Sequence, residues 1–424
     1  MQVTTILNRI SRFKAFVFVQ VFWASVTPGR PELEVGLRPR ANCQPICSGC
    51  GRPGVCYDHL PERRFTYIPL WGIPFFFAYA MRRVDCEHCG VTVESVPWSD
   101  GKSPHTITFR WFLAKWARRL SWREVATVFH VSWESVFRAV EMAVAWGLKN
   151  RDLGGILAIG VDEILWHRGH KYLTLVYQIE AGFKRLLYVG KDRTTRSLLG
   201  FFIMMGKERS STIRFVCSDM WQPYLRVIAR KAKGAIHVLD RFHIMSRMNK
   251  AIDEVRAKEV KRLKQDGFKP VLKHSRWCLL KRPANLTDRQ TVKLKELLGY
   301  NLRAVRAYLL REDFQRFWLY RSPFWAGRFM KEWCTRVMRS RLEPMKKVAQ
   351  MIRSHEALIL NWFRARGTIS AATVEGLNNK VKLVMRRSYG FRTKRAIEIA
   401  LYHNLGKLPE PYFTHLTGQS PAFH

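Results

Sequence analysis

Two aspartates follow apolar segments, where each could bring a carboxylate to the edge of a β-sheet. The run 154–161 begins with glycines and delivers Asp162, and the run 212–218 delivers Asp219 in the same way. Short apolar runs bounded like this are typical of buried strands. Carboxylates that converge at a sheet edge suit two divalent metal ions about 3.5–4 Å apart, which activate an attacking oxygen and stabilise a leaving oxygen at phosphorus. The two residues therefore predict metal-dependent phosphoryl transfer.

A third carboxylate is expected in such a site, and Glu375 is the candidate. Apolar residues recur at helical spacing around it, so Glu375 is predicted to lie early on an amphipathic helix, near its buried face. Mg²⁺, or Mn²⁺ in its place, prefers hard oxygen ligands and retains exchangeable waters. We expect Asp162, Asp219 and Glu375 to hold two catalytic ions of this kind.

The elements that would position the aspartates follow the order β-β-β-α-β-α-β. After the first strand, strands are predicted over 172–179, 185–189, 213–217 and 235–239, and helices over 194–205 and 221–231. This is the order of a ribonuclease H-like fold, in which carboxylates from the first and fourth strands meet at the edge of the sheet. A basic helical insertion must then fill the chain between Asp219 and Glu375.

Three further ionisable residues lie beside these strands. Asp240 and His243 follow the fifth strand and are candidate accessory residues. His243 is predicted either to orient DNA or a water near the metals or to satisfy backbone groups. Glu163 directly follows Asp162, and because successive strand side chains point to opposite faces, Glu163 is expected to point away from it.

Six of the nine cysteines lie between Cys43 and Cys89, and four of them form two Cys-x-x-Cys-Gly knuckles. Two such pairs can bind one Zn²⁺ tetrahedrally, here through Cys47, Cys50, Cys86 and Cys89. This zinc would be structural and would hold together a small zinc ribbon. A disulfide framework is the alternative, and the alternative ligands are Cys43, Cys56, His59 and His88.

A helix-turn-helix pattern follows the cysteine-rich segment. Ser121 can cap one helix, with Glu124 three residues on, and Ser132 can cap the next. In a helix-turn-helix, the second helix enters a DNA groove, which makes Arg138 a candidate DNA-binding residue. An ordinary helical hairpin in a core gives the same pattern.

The composition strongly favours a nucleic-acid partner. Lys and Arg total 73 against 33 Asp and Glu, so the formal net charge is +40, and such a chain can neutralise many phosphates. A basic protein that merely binds anionic surfaces or ribosomal RNA is the alternative. The run that follows Glu375 lacks acidic residues up to 395 and suits a helix along a phosphate backbone. Its candidate DNA-binding residues are Lys380, Lys382, Arg386, Arg387 and Arg392.

The apolar N-terminal segment 13–25 has a basic flank, so an export signal must be weighed. Its alternating Phe and Val residues are more typical of a strand, and the segment is too short and interrupted to span a membrane. We therefore expect no membrane association and a cytoplasmic location.

Several motifs together resemble the DDE transposases of bacterial insertion sequences, specifically the ISL3 family. They are Gly160-Val161-Asp162-Glu163, Ser218-Asp219-Met220-Trp221, Asp240-Arg241-Phe242-His243 and Glu375-Gly376-Leu377-Asn378-Asn379-Lys380. The resemblance implies that Asp162, Asp219 and Glu375 form the acidic triad. It further implies recognition of terminal inverted repeats by the zinc domain and helix-turn-helix, followed by cleavage and joining of transposon ends to target DNA. Synapsis of two ends would require a homodimer or a higher oligomer.

The predicted fold is multidomain α+β, with a zinc ribbon, a helix-turn-helix and a ribonuclease H-like α/β core interrupted by helices. Its predicted segments are an N-terminal segment 1–40, zinc domain 41–97, helix-turn-helix 105–150, core 154–240, helical insertion 241–368, core with Glu375 369–408, and tail 409–424. Two alternatives use only some of these parts. A catalytically silent zinc-containing DNA-binding regulator would leave the triad idle, and a ribonuclease H-like nuclease would cut without joining.

Overall fold

The computed structural model describes residues 2–11, 13–27, 30–167, 169–268, 271–365 and 371–411. The chain divides into unit 1, which comprises Met1–Arg151 and Arg387–His424, and unit 2, which comprises Asp152–Arg386. Helices and strands both contribute substantially, with fifteen α-helices and ten strands in the described ranges. None of these helices has the length and apolar character needed to cross a membrane. The predicted boundary at 368/369 and most of the predicted tail, 412–424, lie outside the described residues.

Unit 1 combines a five-stranded sheet with a group of helices. Its elements are α1 (Val3–Ser11), β1 (Phe16–Thr27), β2 (Arg30–Pro39), β3 (Val55–Leu70), β4 (Ile73–Cys86), β5 (Gly90–Val93), α2 (Ile107–Trp116), α3 (Trp122–Val128), α4 (Trp133–Asn150) and, later in the chain, α15 (Lys394–Leu405). The strand order is β1-β2-β4-β3, with β5 beside β4. Only the β2–β4 pair in this sheet is parallel among the described strands.

The N-terminal segment belongs to this sheet and is not a separate region ending at residue 40. Its alternating pattern forms β1 as predicted, and β2 pairs with β4, with Leu33 opposite Phe75. One face of the sheet is filled with aromatic rings, since Phe65, Phe75 and Phe77 are completely buried. The ring of Trp98 lies 4.8 Å from that of Phe16 between centroids. Large aromatic side chains dominate the energetics of such cores.

The helices α3 and α4 begin where the sequence places their caps. Ser121 Oγ accepts a hydrogen bond from Glu124 N, and Glu124 Oε2 accepts one from Ser121 N, so the predicted capping box is present. Ser132 Oγ accepts from Ser135 N at the start of α4. A short turn therefore joins α3 to α4, and α15 packs against α4 within the same unit.

Unit 2 contains the second sheet and a large group of helices. Its elements are β6 (Ala158–His167), β7 (Lys171–Ile179), β8 (Lys184–Lys191), α5 (Thr195–Ser211), β9 (Phe215–Ser218), α6 (Gln222–Lys231), β10 (Ile236–Leu239), α7 (Arg241–Gln265), α8 (Arg276–Leu280), α9 (Asp288–Leu298), α10 (Arg303–Gln315), α11 (Pro323–Met338), α12 (Glu343–Ser354), α13 (Glu356–Arg364) and α14 (Ala371–Arg387), with 3₁₀ helices at Pro283–Asn285 and Arg316–Leu319. The last residue of α14 is assigned to unit 1.

The second sheet has the order β10-β9-β6-β7-β8. The strands β10, β9 and β6 are parallel neighbours, whereas β6, β7 and β8 are antiparallel. The predicted order of strands and helices from β6 to β10 is confirmed. Ile159 and Val161 of β6 share a buried core with residues of α5 and α6, and so face those helices.

The opposite face of β6 receives α14. Gly160 lacks a side chain, and a Cβ placed there would lie 2.5 Å from Val374 Cγ2. Only glycine permits so close an approach. Because side chains alternate along a strand, Asp162 shares the face of Gly160, towards α14, and Glu163 shares the face of Val161.

The helices α7 to α13 pack around one core, to which Leu225 of α6 and Leu239 of β10 also contribute. Trp333, Phe314 and Phe317 are completely buried there, and Trp333 Nε1 donates a hydrogen bond to Leu310 O at 2.8 Å. A buried indole N–H normally needs such a partner. These contacts indicate that the chain between α7 and α13 is packed and is not a long flexible connection.

Candidate active site

Three aspartates lie at one edge of the unit 2 sheet. Asp219 directly follows β9 and Asp240 directly follows β10. Asp162 lies within β6, one residue past Val161, which is opposite the last residue of β9, Ser218. Because β6, β9 and β10 are parallel, these positions meet at the same edge. The prediction that Asp162 ends its strand was wrong, since β6 continues beside β7 to His167.

Both oxygens of Asp162 accept hydrogen bonds. Oδ1 accepts from Glu163 N at 2.7 Å, and Oδ2 accepts from Asn378 Nδ2 at 2.5 Å. Burial nevertheless raises the pKa of Asp162, and the charge of Asp219 adds to the rise. The lowering effects of the two hydrogen bonds and of His243 do not offset burial. The carboxylate is thus desolvated while its orientation is fixed.

Asp219 is held by the backbone that follows it. Its Oδ1 accepts a hydrogen bond from Trp221 N at 3.0 Å. Burial raises its pKa, against the lowering effects of this bond and of His243, Arg193 and Arg247. These effects do not offset the cost of burying the carboxylate.

Asp240 caps α7 and lies close to His243. Its Oδ1 accepts a hydrogen bond from Phe242 N at 2.7 Å, and His243 Nε2 lies 3.8 Å from its Oδ2. Burial raises the pKa of Asp240, and the charges of Glu375 and Asp219 raise it further. Asp240 therefore has a structural role at the helix start and also belongs to the same electrostatic group as the predicted triad.

Glu375 lies on α14 and is exposed, not near the buried face as the helical pattern predicted. Val374, Leu377 and Asn378 occupy the buried face, and a helix turns by about 100° per residue, which carries position 375 away from it. Its charge still acts on Asp240, so α14 presents Glu375 to the acidic edge of the sheet.

The three predicted carboxylates do not form a tight cluster in the structure. Among the described residues, one group of three or more His, Cys, Asp or Glu side chains has all its ligand atoms within 4.8 Å of one another, and it contains only cysteines. The structure therefore brings Asp162 and Asp219 to one edge, with Glu375 close enough for its charge to act on Asp240.

Glu163 is a fourth acidic group at this edge. It faces away from Asp162, as the alternation predicts, yet the charge of Asp219 acts on both. Burial, followed by the charge of Asp219, raises the pKa of Glu163 to about 7. Its Oε1 is paired with Arg193 Nη1 at 2.7 Å. The excess of buried negative charge at this edge suits a bound cation.

Three residues at this edge were missed by the sequence reasoning, namely Asn378, Tyr177 and Arg193. Asn378 carries a detectable signal, because it is a polar residue at a position that helical spacing assigns to the buried face of α14. Tyr177 and Arg193 carry none, since a strand tyrosine and a loop arginine are ordinary in any sequence.

The four knuckle cysteines come together in unit 1, as predicted. The ligand atoms of Cys47, Cys50, Cys86 and Cys89 lie within 4.8 Å of one another. Thiolates in this arrangement suit a tetrahedral Zn²⁺. All nine cysteines are free of disulfides, so a disulfide framework is absent. The alternative ligands Cys43, Cys56, His59 and His88 lie outside this group among the described residues.

The predicted DNA-binding residues divide into two kinds. Arg387 is engaged inside unit 1, where Nη1 donates to Arg118 O and Nη2 to Asn404 Oδ1, each at 2.9 Å. Burial lowers the pKa of its guanidinium. Arg138 is exposed and pairs with Glu134 at 2.6 Å. The other four are also exposed, and they are Lys380, Lys382, Arg386 and Arg392.

Comparison with known proteins matches these features to one family. Residues 159–401 match the sequence model of a transposase family, the ISL3 group of DDE transposases. The chain is similar to the transposase for insertion sequence element IS1001 of Bordetella parapertussis, at 27% identity over 390 residues, 91% of this chain and 94% of the relative. It is also similar to the transposase for IS1557 of Mycobacterium tuberculosis strain H37Rv, at 29% identity over 387 residues, 85% of this chain and 86% of the relative.

The family match covers more than half of the chain and includes Asp162, Asp219 and Glu375. The chain therefore belongs to the ISL3 family of DDE transposases. The resemblance found in the sequence motifs is confirmed, and with it the assignment of the protein as an enzyme of the transposase class.

Proposed function

We propose that the protein binds the terminal inverted repeats of an insertion sequence, cleaves the DNA at its ends and joins them to target DNA. The observation that carries the proposal is the placement of Asp162 and Asp219 on neighbouring parallel strands at one sheet edge. The helix that bears Glu375 lies against the face of Asp162. The family membership supplies the reaction class for this arrangement.

Unit 2 is proposed to be a ribonuclease H-like core interrupted by the helices α7 to α13. Along the chain, the antiparallel strands β6, β7 and β8 come first, and β9 and β10 then join the sheet parallel to β6. The resulting spatial order, β10-β9-β6-β7-β8, supports this assignment. The chain leaves the sheet after β10 and returns as α14. Ligands of open α/β sheets bind at the carboxyl ends of parallel strands. Asp219 lies at the carboxyl end of β9, and Asp162 lies one residue past the part of β6 that pairs with β9.

Asp162, Asp219 and Glu375 are proposed to hold divalent metal, with two Mg²⁺ or Mn²⁺ ions as the expected set. Carboxylate oxygens are the ligands these ions prefer, and burial raises the pKa values of Asp162, Asp219 and Glu163, which supports a site where a bound cation would offset the cost of burying ionised carboxylates. Bound metal would supply Lewis-acid activation of the attacking oxygen and of the phosphoryl group. Closer approach of Glu375 to the aspartates would accompany metal binding.

Other residues around the acidic edge are proposed to have electrostatic and positioning roles. His243 faces Asp240 and acts electrostatically on Asp162 and Asp219, so it is suited to hold a DNA phosphate or a water beside them. Arg193 balances Glu163 on the other face of β6. The hydrogen bonds to both oxygens of Asp162 keep that carboxylate in one orientation.

Unit 1 is proposed to be the DNA-recognition part. Its cysteine group fits one structural Zn²⁺, and α3, the turn and α4 fit a helix-turn-helix in which α4 enters the major groove. Arg138 lies near the start of α4 and is exposed, where it could reach a base or a phosphate. Pairing of two transposon ends would require a homodimer or a higher oligomer.

Cleavage and joining of a labelled duplex that carries the element's terminal repeat test the proposal. With Mg²⁺ or Mn²⁺, the wild-type protein and Asp266→Asn, a control at an exposed site, should cut and join. Asp162→Asn, Asp219→Asn and Glu375→Gln should bind the duplex and leave it intact. Binding without cleavage by the wild type would identify a silent regulator instead, and cleavage without joining would identify a nuclease.

A further inference from the structure

A hydrogen-bonded chain connects Asp162 to the interior of unit 2. Asn378 lies on α14 one turn after Glu375 and is 8% exposed. Its Nδ2 donates to Asp162 Oδ2, and its Oδ1 accepts from Tyr177 Oη at 2.7 Å. Tyr177 belongs to β7 and is completely buried. The three side chains come from three elements, β6, β7 and α14.

The chemistry of the three groups fixes the direction of the Asn378 amide. An ionised carboxylate can only accept hydrogen bonds, so the NH₂ end of the amide must face Asp162. The carbonyl end then faces Tyr177, whose hydroxyl donates to it. A flipped amide would place its oxygen against the carboxylate of Asp162, and this arrangement is repulsive. Tyr177 and Asp162 together therefore favour a single amide orientation.

The same bond fixes the rotation of the Asp162 carboxylate. One oxygen is held by Glu163 N and the other by Asn378 Nδ2. Each carboxylate oxygen has two lone pairs, so one lone pair on each oxygen remains available for another positive group. Groups that orient a ligand in this way commonly control metal affinity and activity.

The Asn378–Asp162 hydrogen bond also depends on the position of the helix that bears Glu375. Asn378 and Glu375 lie three residues apart on α14, while Val374 packs against Gly160, two residues before Asp162. A shift of α14 along the strand would break the Asn378 bond and displace Glu375 at the same time. The orientation of Asp162 and the placement of Glu375 are thus coupled through one side chain.

We propose that Asn378 is a positioning residue that, held by Tyr177, orients Asp162 and couples that orientation to the docking of the Glu375 helix. The proposal rests on the transposase chemistry proposed above for these carboxylates. Asn378 itself contacts neither metal nor DNA in this role. Its effect should appear in the rate of the chemical step and in the metal requirement, and not in the affinity for DNA.

The test compares single-turnover cleavage at saturating terminal-repeat DNA across four single variants and one double variant. Asn378→Ala removes the whole amide, Asn378→Asp keeps its shape but replaces the amide with a second carboxyl group beside Asp162, and Tyr177→Phe removes only the hydroxyl. Asn379→Ala is the matched control, because it is the same substitution at an exposed neighbouring position of α14. The metal concentration at half-maximal rate, the dissociation constant for DNA and thermal unfolding are measured for each.

We expect Asn378→Ala and Asn378→Asp to slow cleavage about 10–100-fold and to raise the metal concentration at half-maximal rate, with unchanged DNA affinity. Tyr177→Phe should change both quantities in the same direction by a smaller factor. The double variant Tyr177→Phe/Asn378→Ala should be no slower than Asn378→Ala alone, because the hydroxyl acts through the amide.

Two results would overturn the inference. One is an Asn378→Ala protein that cleaves as fast, at the same metal concentration, as Asn379→Ala. The other is a Tyr177→Phe defect that persists in full when Asn378 is already alanine. If Asp162→Asn also cleaves normally, the proposed function itself fails; if Asp162→Asn is inactive, only the role of Asn378 fails. Should the Asn378 variants unfold, Tyr177→Phe keeps the ring and provides the same comparison.

Discussion

Glu163 Oε1 lies 2.7 Å from Nη1 of Arg193, on the face of β6 opposite Asp162. The guanidinium of Arg193 is itself held over two rings, 4.1 Å from the centroid of Trp221 and 5.0 Å from that of Tyr172. Arg193 thus supplies a fixed positive charge to a carboxylate that burial and Asp219 would otherwise drive towards protonation. The pair limits the total negative charge at the acidic edge.

Replacing Arg193 by glutamine should destabilise unit 2. Glu163 would lose its partner while remaining mostly buried, and leaving such a group unsatisfied costs about 1–3 kcal/mol of unfolding free energy. Denaturant unfolding at pH 8 measures the change. The double variant Arg193→Gln/Glu163→Gln should recover most of the loss, because no unpaired charge remains. Additive effects of the two single substitutions would show that the pair does not interact.

A methyl group at position 160 should disturb the docking of α14. In Gly160→Ala the new Cβ would lie 2.5 Å from Val374 Cγ2 and 3.1 Å from Ile179 Cγ2. Overpacking of this kind costs about 1–3 kcal/mol, and the shifted helix should also slow DNA cleavage. Gly376→Ala on α14 is the control, since a Cβ there meets no atom within 4 Å. It should stabilise the protein by about 0.5–1 kcal/mol, and equal effects of both substitutions would contradict the close packing.

One cysteine substitution should remove the zinc. Cys50 is exposed and belongs to the group of four, so Cys50→Ser changes a ligand with little loss of packing. The purified variant should contain far less zinc than wild type and should unfold at a lower temperature, because metal binding contributes directly to folding in such sites. Cys56→Ser, outside the group, should keep one zinc per chain. Elemental analysis decides the matter, and equal zinc in both variants would exclude the proposed ligand set.

Two neighbouring arginines should behave differently when replaced by alanine. Arg387→Ala removes hydrogen bonds to Arg118 O and Asn404 and should lower the unfolding free energy by about 1–3 kcal/mol. Arg386→Ala, at an exposed position, should change stability by less than about 0.5 kcal/mol. It should instead weaken DNA binding and reduce the slope of log K against log salt by about 0.9. An unchanged salt slope would remove Arg386 from the DNA contacts.

Local features of the sequence predicted a large part of the fold. Each strand from β6 to β10 is a short apolar run bounded by polar or glycine residues, so its existence is encoded locally. The caps at Ser121 and Ser132 and the cysteine spacing are local signals of the same kind. Parallel neighbours then bring Asp162 and Asp219 to one edge without further information.

The contacts that refine the site were not predictable in this way. Asn378 and Asp162 are 216 residues apart in sequence, and their hydrogen bond exists only because Gly160 lets α14 approach β6. Arg387 stands in a basic run typical of DNA contacts, yet the packing of α15 and α2 gives it partners inside unit 1. Glu375 is turned outward because its neighbours at 374, 377 and 378 compete for the buried face. Each of these outcomes depends on which distant segment packs against a helix.

The contribution of α15 to unit 1 has a consequence for synthesis on the ribosome. Domains generally fold as units, N-terminal first, while the chain emerges. Unit 1 departs from that order, because α4 can pack against α2 and α3 early but reaches α15 only after all of unit 2 has been translated. A Cβ at Gly147 of α4 would lie 2.6 Å from Leu408 Cβ, so this late segment fits closely. A nonsense or frameshift mutation within unit 2 would therefore release a chain whose apolar α4 surface stays uncovered, a substrate for chaperones and proteases.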